Sequence, residues 1–199
     1  MDKMALFIDD GYLQSILKSF GKLKPDYTDE QPRWKTDYSK LVELMKSKLT
    51  KGKEELLRTY YYTCKKDHYN TEEEKTKQER FFHTLNMIPQ FECRLGTLKT
   101  SCDESGIPRY EQKQVDVQIA VDIVRLSLKQ RITKAIIISG DADLIPAIKA
   151  AKEEGVVVEL FYVQGTAGSE LLETVDFATM IDEAWLDQIR MTNKSVSEF

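Results

Sequence analysis

Histidine and cysteine are scarce in this 199-residue chain. The two histidines, His68 and His83, stand fifteen positions apart, and Cys64, Cys93 and Cys102 form no CxxC pair. That argues against a zinc framework, which needs closely grouped nitrogen and sulfur donors. Three scattered cysteines point instead to reduced thiols in a cytoplasmic protein. No apolar run approaches the roughly 20 residues of a membrane span. The apolar start, Met4 to Ile8, is too brief for a signal peptide. An excess of positive charge is also missing: 29 Lys and Arg face 33 Asp and Glu, a net charge of −4. Nucleic acid is therefore not held by bulk charge, although local basic patches remain compatible. No internal repeat, low-complexity stretch, linker or heptad run stands out. A single domain over 1–191 with a flexible tail over 192–199 is the expectation.

Carboxylates at strand ends are what the chain does have. Ala135 to Ser139 is a short run dominated by isoleucine, the composition of a strand buried on both faces. Gly140 permits a sharp turn, Asp141 and Asp143 follow, and Leu144-Ile145-Pro146-Ala147-Ile148 begins a helical pattern. Met4 to Ile8 repeats the arrangement, ending in Asp9-Asp10-Gly11 before a helical spacing at 12, 13, 16, 17 and 20. One Asp at such a place needs only a capping role. Two neighbouring carboxylates repel, and a hard divalent cation is the usual relief.

The remaining segments alternate between the two periodicities. Residues 22 to 36 read as an irregular loop, and Thr36-Asp37 as the cap of a helix to Leu49. Leu56 to Tyr62 reads as a strand whose tyrosines belong to the core. Thr71 with Glu72-Glu73-Glu74 starts a helix to Asn86. Gln90 to Leu98 is a weaker strand, followed by a loop or small hairpin over Thr97 to Gln112. Val115 to Lys129 is a buried helix with Asp116 in its first turn. Asp122, set among apolar residues, must face solvent, meet a partner or line a site, because an unpaired buried carboxylate is costly. After the Ile136 strand come a helix to Glu154 closed by Gly155, a strand over Val156 to Val163, a loop over Gly165 to Ser169, a short helix from Glu170, an apolar segment over Phe177 to Ile181, and a last helix over Asp182 to Met191.

Strands alternating with helices predict an α/β fold with a mainly parallel sheet and helices on both faces. The strand ends then bring Asp9, Asp141 and Asp143 to one edge, the helix from 115 adds Asp116, and Lys99, Arg109 and Lys113 lie near that edge as ordinary loop charges or as phosphate contacts.

Three segments resemble the signatures of NYN domains, the PIN-like, LabA type of predicted ribonuclease: Phe7-Ile8-Asp9-Asp10-Gly11-Tyr12-Leu13, Lys113-Gln114-Val115-Asp116-Val117 and Ser139-Gly140-Asp141-Ala142-Asp143-Leu144-Ile145-Pro146. Gly168-Ser169-Glu170-Leu171-Leu172 with Asp176 is similar to the family's C-terminal stretch, so the resemblance runs from about Met4 to Leu186. It implies a PIN-like three-layer α/β/α sandwich with a mainly parallel central sheet. It also implies an acid set of Asp9, Asp116, Asp141 and Asp143 that holds Mg²⁺ or Mn²⁺ for phosphodiester hydrolysis. Single-stranded RNA is the implied partner; Lys113, Arg109, Lys99, Tyr12 and Ser139 are expected to contact it, and pairing of two copies of the chain is a further expectation. Tyr12 stands where many members carry Asn, and Asp10 where Gly is frequent. The rival reading is a binding module that keeps the fold without catalysis. Toprim and haloacid-dehalogenase patterns fit less well, because they want a Glu, or Asp-x-Asp, after the first strand.

Overall fold

A computed structural model describes residues 2–21, 36–49, 54–66, 71–102 and 108–191. The expected irregular loop after Gly21 and the expected tail over 192–199 lie outside the described residues, apart from Thr36. Seven strands form one sheet: β1 (Asp2–Asp9), β2 (Glu54–Lys66), β3 (Phe91–Cys102), β4 (Pro108–Lys113), β5 (Lys134–Ile138), β6 (Val157–Tyr162) and β7 (Phe177–Met180). The helices among the described residues are α1 (Asp10–Gly21), α2 (Tyr38–Leu49), α3 (Glu72–Asn86), α4 (Val115–Leu128), α5 (Ile145–Glu153), α6 (Ser169–Thr174) and α7 (Glu183–Gln188), with a 3₁₀ turn at Ala142–Leu144.

The strand order is β4-β3-β2-β1-β5-β6-β7. Six strands are parallel and β4 returns antiparallel at the edge. The chain thus winds from β1 outward through β2 and β3, then comes back to the other side of β1 for β5, β6 and β7. The order reverses between β1 and β5, and in open α/β sheets the crevice beyond the strand ends at such a reversal is where ligands bind.

Pleating sorts the side chains of β1 to two faces. Met4, Leu6 and Ile8 join Leu13, Leu17, Leu41, Tyr61 and Trp185 in one core cluster. Ala5 and Phe7 join Tyr60, Tyr62, Ile119, Ile123 and Ile148 in the other. Strands buried on both faces are what the near-continuous apolar runs of β1 and β5 predict, and every residue from Met4 to Ile8 is 1% exposed or less. The three tyrosines of β2 are buried, as expected of core aromatics. Helices therefore cover both faces of the sheet, the three-layer α/β/α sandwich that was expected.

Local chemistry sets the helix ends where it was expected to. The Thr71 hydroxyl accepts the Glu74 N–H at 3.1 Å, and Asp37 Oδ1 accepts the Lys40 N–H at 3.0 Å. Gly155 follows α5 with φ +79°, the left-handed conformation that closes a helix at little cost for glycine. Strands β2 and β3 run further than their apolar cores, because the parallel ladder continues through Thr63–Lys66 opposite Leu95–Leu98.

Candidate active site

Register and pleat together build the site. In the parallel pairing of β1 with β5, Ile8 stands opposite Ile138, so Asp9 comes level with Ser139 just beyond the strand ends. Asp9 follows the parity of Phe7, and Ser139 that of Ile137, so both belong to the face covered by α4 and α5. Ser139 Oγ donates to Asp9 Oδ2 at 3.2 Å and accepts the Asp141 N–H at 3.2 Å. One hydroxyl therefore ties the β1 end to the turn that carries the DxD segment. Asp9 Oδ1 accepts the Tyr12 N–H at 3.1 Å, the bond of an N-terminal cap on α1. Asp141 Oδ1 accepts the Asp143 N–H at 2.9 Å and caps the 3₁₀ turn in the same way.

Asp116 reaches the same cleft from α4. Gln114 precedes that helix at φ 76°, a left-handed conformation uncommon outside glycine, and turns the chain sharply from β4 into α4. Burial pushes the Asp9 carboxyl up to about 6; the Tyr12 and Ser139 hydrogen bonds oppose this, and the charges of Asp116 and Asp10 add to it. Asp116 is also raised, first by partial desolvation and then by Asp141 and Asp143. The four expected acids are thus electrostatic neighbours, Asp9 buried and Asp116 and Asp143 exposed. Among the described residues, no cation is hydrogen-bonded to Asp9.

Asp10 goes elsewhere. Its carboxylate accepts Thr63 Oγ1 at 2.6 Å and Gln14 Nε2 at 3.0 Å, beside the hydrogen-bonded pair Tyr38 and Tyr61. Two adjacent acids after one strand therefore serve two environments.

Two residues expected to touch substrate make hydrogen bonds within the protein. Ser139 is 1% exposed and its hydroxyl is engaged with Asp9 and Asp141. The Tyr12 hydroxyl accepts the Val163 N–H at 2.9 Å and bonds Thr166 Oγ1 at 2.5 Å, in the loop after β6. Of the basic residues, Lys113 pairs with Thr97 and lies two positions before α4, next to the acid cleft in the chain. Lys99, opposite Glu111, and Arg109, opposite Ser101, sit further out along the β3–β4 hairpin. Asp176, part of the C-terminal stretch noted above, accepts the Val158 N–H at 2.8 Å and pairs with Lys152 at 3.0 Å, at the opposite end of β6 from the acids.

Among the described residues, no three acidic, histidine or cysteine side chains converge closely enough to form a finished metal cage. The chemistry of the donor set still fits a hard cation. The donors are carboxylate oxygens, one of them buried and under-compensated. Magnesium binds through one or two carboxylates while keeping several waters. A closed cage is not what such an ion requires.

A search of curated proteins finds an uncharacterized protein of Methanocaldococcus jannaschii that is 30% identical over 93 residues, 46% of this chain. That match spans 39% of the archaeal protein's length. Among solved structures, the crystal structure of a protein of unknown function from Vibrio parahaemolyticus superposes with a TM-score of 0.62 at 18% identity. It covers 96% of each chain, a likeness of fold alone. The profile of the NYN domain matches residues 3–182, nearly the whole chain. With the first Asp, the helix-borne Asp and the SGDxD turn all at one sheet edge, the chain belongs to the NYN domain family, whose PIN-like fold is of the nuclease type.

Proposed function

We propose that this protein is a divalent-metal-dependent ribonuclease that hydrolyses phosphodiester bonds of single-stranded RNA at Asp9, Asp116, Asp141 and Asp143. The observation that carries the reading is the buried Asp9 carboxylate at the sheet's switch point, hydrogen-bonded by Ser139 and the Tyr12 N–H and within the electrostatic reach of Asp116, with no cation hydrogen-bonded to it among the described residues. A bound Mg²⁺ or Mn²⁺ would supply an activated water and neutralise charge developing on the phosphate. The protein's own part is positioning. Ser139 and the Tyr12 N–H each use one lone pair of Asp9, leaving a further lone pair on each oxygen for a ligand. Asp141 commits Oδ1 to the turn that presents Asp143. Lys113, with Arg109 and Lys99 along the hairpin, would track the phosphate backbone, which makes binding salt-dependent. An open cleft suits an unpaired strand, whose phosphates can be turned toward the acids.

The test is cleavage of labelled single-stranded RNA with Mn²⁺, Mg²⁺ or EDTA, by wild type and Asp141→Asn side by side. The expected result is metal-dependent cutting that disappears in the variant. Equal cutting by both proteins would overturn the assignment. The Tyr12 departure, its hydroxyl engaged with the loop after β6, favours one alternative, an RNA- or protein-binding module without catalysis. Specific RNA binding that survives Asp141→Asn, with no cutting by either protein, would support that alternative.

A further inference from the structure

Tyr12 joins two parts of the molecule that are 151 residues apart in the chain. Its backbone N–H holds Asp9, and its hydroxyl holds the loop over residues 163–168, between β6 and α6. Within that loop the Thr166 N–H and Oγ1 both donate to the Val163 carbonyl, at 3.1 and 2.7 Å, and Gly165 turns the chain at φ +79°. Since the Thr166 hydroxyl hydrogen is spent on that carbonyl, the Tyr12 O–H is the donor in the 2.5 Å bond to Thr166 Oγ1. The phenol thus accepts one hydrogen bond from the loop and donates another to it.

The loop lies directly over Gly140. A Cβ there would stand 2.5 Å from the Thr166 carbonyl oxygen and 2.7 Å from Tyr12 Cε2, closer than real contacts allow. Glycine at this position therefore serves close packing: it lets ring and loop settle onto the turn that carries Asp141. The crest of the loop, Gln164 to Thr166, is exposed. The result is a wall on the β6 side of the acid cleft, held to α1 by one side-chain hydroxyl. The other side of the cleft leads toward α4 and the β3–β4 hairpin.

We infer that Tyr12 is a specificity-determining latch, which pins the 163–168 loop as a wall beside the acids and so admits an unpaired strand in preference to a duplex. A single strand can fold its bases away from a wall while presenting a phosphate. A rigid duplex cannot move its second strand aside. The inference rests on the nucleic-acid reading of the site and adds to it the residue that sets strand preference. Tyr12 acts here as a positioning residue, since its hydroxyl is used up by the loop.

Tyr12→Phe removes the hydroxyl and keeps both the ring on Gly140 and the N–H on Asp9. Thr166→Val removes the loop's partner at constant volume. Each change is made in a protein that also carries Asp141→Asn, so that RNA stays intact in Mn²⁺. Two quantities are read: amide exchange of Val163, and fluorescence-anisotropy affinities for a single-stranded RNA and for a hairpin duplex of equal length at fixed salt. The expected result in Tyr12→Phe is faster Val163 exchange, on the order of tenfold for one lost hydrogen bond. The preference for single strand over duplex should fall about threefold or more in each variant, and the double variant should be no worse than either single one. Unchanged exchange in Tyr12→Phe would overturn the latch. Faster exchange with an unchanged preference would overturn the selective role while leaving the nuclease reading intact. A wild-type protein that neither binds nor cuts either RNA in Mn²⁺ would overturn both together.

Discussion

Two buried carboxylates on the same side of the sheet meet opposite treatment. Asp122, on the inner side of α4, accepts Arg125 Nη2 at 2.7 Å and the Tyr62 hydroxyl at 3.0 Å, and lies 3.3 Å from Arg94 Nε. Arg94 in turn pairs with Glu92, which binds Arg58 at 2.6 Å, and its guanidinium stacks over the Tyr60 ring. Each of the two carboxylates, Asp122 and Glu92, meets two guanidiniums, and the network fastens α4 to β2 and β3. Asp9 has a serine hydroxyl and one backbone N–H, and the charges that act on it among the described residues are those of Asp116 and Asp10. Burial raises the pKa of a carboxyl whose charge no cation offsets, as it does at Asp9. A compensated carboxylate holds a fold together; an under-compensated one at a ligand-binding edge is poised for an external cation.

Five substitutions would break or sharpen that contrast. The largest effect is expected from Asp141→Asn, which should lower RNA cleavage by on the order of a thousandfold, as loss of a group that helps hold a catalytic metal does. Asp122→Asn should leave the rate constant close to that of wild type. A loss of similar size in both would erase the distinction between the two clusters.

Asp122→Ala should instead cost stability, about 2 kcal/mol by denaturant unfolding. Breaking a buried pair can cost ~3–5 kcal/mol, and here the partial exposure of Arg94 and Arg125 screens part of it. A change within ~0.5 kcal/mol would show that the network is ornamental.

Asp9→Asn should act in the opposite direction in EDTA. The folded protein holds the Asp9 proton up to about pH 6, while the unfolded chain releases it near 3.8. Between those values the native state binds more protons than the unfolded one, so stability falls as pH rises through the window and stays lower above it. Relief of that penalty should stabilise Asp9→Asn by on the order of 2 kcal/mol at pH 7 and by almost nothing below pH 4. Thermal unfolding across pH reads this directly. A variant destabilised equally at both pH values would mean that Asp9 is as well compensated as Asp122.

The smallest effect is expected at the turn. Gly140→Ala should cost about 1–2 kcal/mol and release the loop after β6, because a methyl group meets the Thr166 backbone and the Tyr12 ring. Proteolytic nicking confined to residues 163–168 would show the release. A variant as stable and as protected as wild type would show that the turn has more room than its contacts indicate.

What could be read from the chain followed how local the cause was. The caps at Thr71 and Asp37, the Gly155 stop and the buried strands of β1 and β5 depend on neighbours in sequence, and they stand where propensity puts them. The convergence of Asp9 with the SGDxD turn depends on parallel pairing, which repeated strand-end acids already suggested. The partner of Asp122 could be posed as a question only, since Arg94 comes from a strand 28 positions earlier. The hydrogen-bond partners of the Ser139 and Tyr12 hydroxyls were not legible in the chain. Their partners lie 130 and 151 residues away, and nothing in their immediate surroundings marks a hydroxyl as already spoken for. The basic residues divide because β4 is a returning strand: only Lys113 ends it beside α4.

The most direct measurement is a calorimetric titration of metal-free protein with Mn²⁺ at pH 7, for wild type, Asp141→Asn and Asp122→Asn. If the acids at the switch point form a cation site, wild type and Asp122→Asn bind alike, and Asp141→Asn binds at least about tenfold more weakly, the factor that ~1.4 kcal/mol of lost binding energy gives. Equal affinity in wild type and Asp141→Asn, or loss of binding through Asp122→Asn alone, would contradict the assignment of the site.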